Sequence, residues 1–386
     1  MKSVYFDSAA TTQIRPEVAE KMMNVLLEIP GNPSSTHAFG RSAKSLVEGA
    51  RKTIAAQLNV SPGEIIFTSG GTEADNLAIT ASVRDLGVRR IITSKVEHHA
   101  VLHAAQYAAD SYNAVLEYVA LKDCGTPDEK ALETMLAESD AKTLVSLMHV
   151  NNEVGNMIDL KEIALLCKKY KALFHSDMVQ SIGHFKTDLQ EIPLDFAAAA
   201  AHKFHGPKGV GFAFVRKNSG LRPLIHGGGQ ERGLRAGTES VHNIVGMEYA
   251  LQLANDRLDQ ERDYVEGLKN YFAERLHQEI PDSKLNGNCH NNAHSTYTLL
   301  NVCLPLSPEK ALMLLFQLDL KGIACSKGSA CQSGSDQGSH VLSEILDRED
   351  LNKPSIRFSF SSFNTKEEID YVISVLKDFI AGPSDL

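Results

Sequence analysis

Long apolar runs are missing from this chain. Over 386 residues no uninterrupted apolar run exceeds six, the length of Phe196 to Ala201. A bilayer-spanning helix needs about 20, so none is expected. Cysteine is scarce: six residues, at 124, 167, 289, 303, 325 and 331, with no C-x-x-C pair. That is too sparse for a disulfide scaffold, and the spacing argues against a structural zinc site or other metal centre. An excess of positive charge is also missing. Lys plus Arg is 39 against 48 for Asp plus Glu, a net charge of −9, which makes a poor binder of nucleic acid or an anionic membrane. Met1 to Asp7 has no apolar stretch of the signal-peptide kind. These absences together predict a reducing, cytoplasmic setting.

What is present is the makeup of a large globular protein. Counting glycine and leaving out tyrosine, the apolar share is about 47%, inside the usual ~45–50% band, and a chain this long can bury a full core. Short β-branched or apolar runs alternate with helical patterns. Ile65–Thr68, Ile91–Thr93, Leu144–Val150, Leu173–His175, Phe196–Ala201 and Gly211–Val215 read as strands. Between Arg41 and Leu58 the apolar residues fall at 43, 46, 47, 50, 54 and 58, which is helical spacing. Pro127 opens a helix over Asp128–Glu138, and Asp159–Tyr170 reads as another. Such alternation predicts a parallel sheet with helices on both faces and ligands at the carboxyl ends of its strands. Ser240–Glu279 reads as mostly helical. From about residue 262 onward a second, smaller α/β unit follows, with strands at Thr296–Leu304 and Ser355–Phe360, helices at Pro308–Leu320 and Lys366–Ile380, and a Gly/Ser-rich loop at Ser326–Ser339.

Three strand ends carry chemistry. Thr68-Ser69-Gly70-Gly71-Thr72-Glu73-Ala74 follows a strand and opens a helix, where free N–H groups favour a phosphate. An ordinary Gly-rich turn is its plainer reading. In His175-Ser176-Asp177-Met178-Val179-Gln180 a strand delivers Asp177, able to hold a proton on a heterocyclic nitrogen or simply to cap a helix. In Ala199-Ala200-Ala201-His202-Lys203 small residues leave room beside the sheet for a partly desolvated lysine, whose lowered pKa frees the amine as a nucleophile. A solvated turn lysine is the plainer reading there. Phosphate cradle, acid for a ring nitrogen and amine nucleophile at successive strand ends of one sheet suit pyridoxal phosphate (PLP), which needs all three.

Long motifs then resemble a known family. They include Tyr5-Phe6-Asp7-Ser8-Ala9-Ala10-Thr11-Thr12, Gly31-Asn32-Pro33-Ser34-Ser35-Thr36-His37, Gly70-Gly71-Thr72-Glu73-Ala74-Asp75-Asn76 and Glu97-His98-His99-Ala100-Val101. His149-Val150-Asn151-Asn152-Glu153-Val154-Gly155, the stretch from Gly227 to Thr238, Gly328-Ser329-Ala330-Cys331 and Ser355-Ile356-Arg357-Phe358-Ser359 continue the series. Over nearly its whole length the chain resembles the cysteine desulfurases of the NifS/IscS type, class-V aminotransferases of PLP fold type I. The resemblance implies a mostly parallel seven-stranded sheet in a large domain (15–261) and a smaller α/β domain (1–14 and 262–386) carrying a cysteine loop at about 326–339.

It also implies roles. Lys203 anchors PLP as a Schiff base and moves the Cα proton. Asp177 pairs with the ring nitrogen, Gln180 with the ring hydroxyl oxygen, and His98 stacks on the ring and serves in acid–base steps. Gly71, Thr72 and His202 contact the phosphate, joined by Thr238 of the other subunit, so a homodimer is expected. Asn152 lies near the ring and the substrate carboxylate, which Arg357 grips; a planar guanidinium suits that contact. Cys331 takes sulfur from L-cysteine as a persulfide, leaving L-alanine, and passes it to an iron–sulfur scaffold or another acceptor protein. Its surroundings, Lys327 to Gly338, hold no apolar residue larger than alanine, which predicts an exposed thiol able to ionise. The chain departs from the family's pattern at four places. Ala200 stands where a hydroxyl residue usually contacts the phosphate, Met178 stands where alanine is usual against the ring, Ser8 replaces asparagine, and Asp336-Gln337-Gly338 replaces a proline-containing stretch. The competing readings are a PLP enzyme of the same family with another amino substrate and an inactive assembly scaffold. Cys331 argues for sulfur transfer.

Overall fold

The computed structural model describes residues 3–327 and 338–382. Its strands, in chain order, are β1 (Val4–Tyr5), β2 (Ile65–Thr68), β3 (Arg90–Thr93), β4 (Val115–Tyr118), β5 (Thr143–Ser146), β6 (Leu173–Asp177), β7 (Phe196–Ala200), β8 (Gly211–Val215), β9 (Lys284–Leu285), β10 (Leu299–Cys303), β11 (Ile323–Ala324) and β12 (Ser355–Ser359). Seven of them form one sheet in the order β2-β8-β7-β6-β5-β3-β4. Only β8 is reversed, lying antiparallel to both β2 and β7. The other six point one way, so their carboxyl ends share an edge.

Apart from edge strand β4, both faces of this sheet are buried. Along β8, Phe212 and Phe214 enter one core and Ala213 and Val215 the other. Along β7, Ala197 and Ala199 alternate in the same way with Phe196 and Ala198. Burial on both faces is why these strands read as continuous apolar runs. Helices Ala38–Gln57, Leu160–Lys169 and Val241–Asp256 supply residues to the first core, and Gly71–Leu86 and His99–Tyr112 to the second. The caps follow the sequence: Asp128 accepts from the Lys130 and Ala131 N–H groups and Asp159 from that of Glu162.

A third core gathers residues from both ends of the chain. Val4 and Phe6 pack with Phe272, Val302, Ile356, Phe358 and Ile373. The antiparallel sheet β12-β10-β9 carries it, and β1 pairs in parallel with β11. Nothing in the sequence marks β1, because two residues make no periodicity.

Three expectations shift. The strand expected over Leu144–Val150 ends at Ser146. Beyond it the Met148 N–H turns to the buried Glu97 carboxylate, 3.0 Å away, in place of a neighbouring strand. The stretch Ser240–Glu279 is two helices, Val241–Asp256 and Leu258–Glu279, broken at Arg257. Edge strand β4 escapes the sequence reading because its side chains are exposed or half-buried and lack an apolar signature.

Candidate active site

The loops that follow β2, β3, β5, β6 and β7 converge on a cleft of about 220 Å³. Gly71, Thr72, His98, Asn152, Asp177, Gln180, His202, Lys203 and Arg357 all line it. Two further expected residues need separate mention. Thr238 is exposed on the loop after Glu231–Gly233 and is not among the lining residues. Cys331, like Asp336-Gln337-Gly338 up to residue 337, lies outside the described residues.

Each group has a structural reason for its place. Asp177 is the last residue of β6, and its Oδ1 accepts the Val179 N–H at 2.9 Å. Burial raises its carboxyl to about 6, against the opposing pull of that hydrogen bond and of the Lys203 charge. Lys203 ends the short turn after β7. Its Nζ donates to the carbonyls of Ala9 (2.6 Å) and Ala10 (2.9 Å), and Gln180 Nε2 donates to the same Ala9 carbonyl at 2.9 Å. His98 caps the helix His99–Tyr112, its Nδ1 accepting the Ala100 N–H at 3.1 Å. An accepting Nδ1 leaves the proton of the neutral ring on Nε2. Burial and then the Lys203 charge pull His98 down to about 4, so the ring is neutral at physiological pH. His202 is drawn down to about 4 for the same two reasons.

At the cradle, the helix Gly71–Leu86 begins with no side-chain cap. A Cβ built on Gly71 would come within 2.5 Å of Val179 Cγ2, so only glycine lets the backbone close in here. Glu73 takes the Ser69 N–H (2.7 Å) and pairs with Arg235 (2.8 Å), tying the loop that carries Thr238 to this helix.

Several groups behind and around the cleft were not singled out from sequence. The buried acid Asp75 lines it too, and the buried Glu97 lies behind it, bonded to the lining residue Met148. Burial and the neighbouring Asp177 hold Asp75 well above the ordinary carboxylate range. Burial lifts Glu97 to about 8, although both its oxygens accept the Met148 N–H. His175, 3.3 Å from Asp75 through Nε2 and bonded through Nδ1 to Ser146 (2.8 Å), is drawn down to about 3 by burial. The spacing Gly71/Asp75, one helical turn, was the available signal. Met178 is corrected: it is fully buried in the sheet core, and Val179 lines the cleft in its place. β6 ends at Asp177 and the chain turns there, closed by the Val179 N–H on Asp177 Oδ1 and by the Ser181 and Ile182 N–H groups on the Met178 carbonyl, which leaves Met178 in the core and Val179 on the cleft.

The cleft therefore combines an amine, a buried acid, a neutral imidazole, a bare helix start and a guanidinium. Comparison with known proteins agrees with it. Residues 4–372 match the family of class-V aminotransferases. The cysteine desulfurase IscS of Dictyoglomus turgidum is 40% identical over 98% of this chain and 95% of its own length, and that of Clostridium botulinum 39% over 98% and 94%. A solved NifS-like protein superposes with a TM-score of 0.88 at 35% identity, covering 98% of this chain and all of its own. The NifS-like protein from Rickettsia africae gives 0.85 at 31%, covering 98% and 99%. The seven-stranded sheet is thus that of the PLP fold-type-I proteins, and the chain belongs to the class-V aminotransferases, among the cysteine desulfurases.

Proposed function

We propose that this cleft binds PLP and L-cysteine and that the protein works as a homodimer passing sulfur to an acceptor protein in the cytoplasm. No helix among the described residues is long and apolar enough to cross a membrane. The observation that carries the reading is the convergence of Lys203, Asp177 and the uncapped helix start at Gly71 on one cleft. The residues fit the cofactor. Gly71 allows close backbone approach to a phosphate, Thr72 and His202 line the same wall, and a protonated ring nitrogen beside Asp177 would hold that raised acid ionised. When bound, PLP supplies the electron sink that makes the substrate Cα proton acidic.

The chain's own residues do the rest. Lys203 holds the cofactor and then moves the Cα proton. His98, neutral with its proton on Nε2, packs against the ring, and Gln180 steadies its hydroxyl oxygen. Arg357 and Asn152 hold the substrate carboxylate. The Cys331 thiolate bonds to the substrate sulfur and the Cβ–S bond breaks, its electron pair staying on carbon. A proton added at Cβ and one returned to Cα by Lys203 complete L-alanine, and the sulfur remains as a persulfide on Cys331. A thiol reductant releases it as sulfide, or an acceptor protein, such as an iron–sulfur scaffold, takes it. Thr238 of the partner subunit completes the phosphate site, a role consistent with its exposure. The large domain spans 15–261, and 1–14 with 262–386 form the smaller one.

The test is to incubate PLP-loaded protein with L-cysteine and dithiothreitol and to quantify alanine and sulfide together. Equal amounts of both are expected. Cys331→Ser should keep the cofactor's absorbance and lose persulfide and both products. Neither product from the wild-type, PLP-binding protein, or unchanged sulfide release from the Cys331→Ser variant, would overturn the reading.

A further inference from the structure

Arg357 is 1% exposed by side chain, and its guanidinium is held at two points. Nη1 donates to the Asn152 carbonyl at 2.8 Å, and Nη2 donates to Asp7 Oδ1 at 2.9 Å. A guanidinium has five N–H groups, so three remain, and Nε is buried with no hydrogen-bond partner among the described residues. The same Asp7 oxygen accepts the Ser326 hydroxyl at 2.8 Å. Ser326 in turn is bonded to Arg357 through both backbone groups, N–H to O at 2.8 and 3.3 Å. Asp7 itself is fixed by the chain, since its neighbour Phe6 is fully buried in the third core and accepts the Ser359 N–H at 2.8 Å.

We infer that Asp7 is a positioning residue for substrate recognition: it fixes the plane of the Arg357 guanidinium so that the unused N–H groups meet the α-carboxylate of the substrate. A planar group pinned at two of its nitrogens cannot turn about its own axis. A counter-ion serving only to neutralise a buried arginine would be expected to clasp it with both oxygens. Asp7 uses one oxygen on one nitrogen and leaves the rest of the fork for the cleft that Arg357 lines. Through Ser326 the same oxygen also ties the segment five residues before Cys331 to the guanidinium. The inference rests on the reading of Arg357 as the carboxylate grip.

The test compares L-cysteine with cysteamine, which has the same amine and thiol and no carboxylate, in PLP-loaded enzyme. For Asp7→Ala the KM for L-cysteine should rise about tenfold with kcat changed less than about threefold, the signature of lost ground-state binding. The inhibition constant of cysteamine should not move. Asp7→Asn keeps an oxygen acceptor and should restore KM to within about threefold. Should Asp7→Ala fail to fold, Asp7→Glu, which displaces the carboxylate by one methylene, is expected to raise KM and spare cysteamine in the same way. A parallel loss for both ligands, or no change in KM in any Asp7 variant, would overturn the inference. Arg357→Ala serves as the control. If it leaves the preference for L-cysteine over cysteamine intact, the assignment of Arg357 fails instead, a result separable from failure of Asp7 alone.

Discussion

The cleft has two walls built on different plans. On one, Asp177 comes from the end of β6, Ala200 and Lys203 from the end of β7, and Gly71 from the helix after β2. All are delivered by strands of one sheet, so sheet register alone fixes their spacing. On the other, the lining residues Asn152 and Arg357 and their supports Asp7 and Ser326 come from four separate segments, with Asp7 and Arg357 350 positions apart. Four hydrogen bonds between 2.8 and 3.3 Å and one ion pair hold them. The first wall suits chemistry, where a misplacement of 1 Å is costly. The second suits recognition, where geometry rests on a few exchangeable bonds.

The largest effect should come from breaking the first wall. Asp177→Asn keeps the shape and removes the charge that steadies a protonated ring nitrogen. Alanine release should fall on the order of 10²-fold. The loss should be equally deep when the substrate carboxylate is absent, as read by the cofactor's absorbance change on adding cysteamine. That equality is the contrast with Asp7, whose loss should spare cysteamine. If Asp177→Asn discriminates between the two ligands, the division into a chemical and a recognition wall is wrong.

The two walls also differ in how far the sequence reveals them. Strand ends are local: an apolar run followed by Gly-Gly-Thr, by Asp177 or by His202-Lys203 marks both the element and the place where it stops. The burial of Met178 and the place of Val179 on the cleft depend on the turn that follows β6, which no strand pattern announces, and the resemblance had put Met178 against the ring. The Asp7–Arg357–Ser326 contact has no local signal. It exists because β1 adds to β11 and Asp7 bridges to Ser359, pairings between opposite ends of the chain. The buried Glu97 and Asp75 were visible as residues, but only the packed sheet shows how far they lie from water.

Beneath the chemical wall, Glu97 sharpens the comparison in a different way. Its carboxyl rises from an ordinary value near 4.5 to about 8 because burial disfavours the charged form. The folded state thus holds a proton that the unfolded chain gives up between these values. The stability this lends is complete below about 4.5 and is lost as pH rises towards about 8. Glu97→Gln cannot ionise and should lose less stability than the wild type between pH 5 and 8, by on the order of 3 kcal/mol. Urea unfolding of both cofactor-free proteins at the two pH values is the measurement. Parallel losses would mean that Glu97 is ionised in the folded protein, with the Met148 N–H outweighing its burial.

The smallest effect concerns Ala200, the last residue of β7, 1% exposed on the cleft side that faces Gly71. A Cβ built on Gly71 would lie 3.9 Å from the Ala200 Cβ, so a hydroxyl at position 200 would sit beside a phosphate held at the start of that helix. A hydrogen bond to a charged group is worth about 1.5–3 kcal/mol. Ordering the hydroxyl and stripping its water take back part of that, leaving a gain near the lower figure. Ala200→Ser should therefore bind PLP about tenfold more tightly. Without the cofactor the same hydroxyl is buried beside the cradle with fewer partners, and an unsatisfied one costs about 1–3 kcal/mol. The variant should then melt below the wild type when cofactor-free and above it when loaded. That crossing of signs separates a bond to the phosphate from a general improvement in packing, which would raise both melting temperatures together.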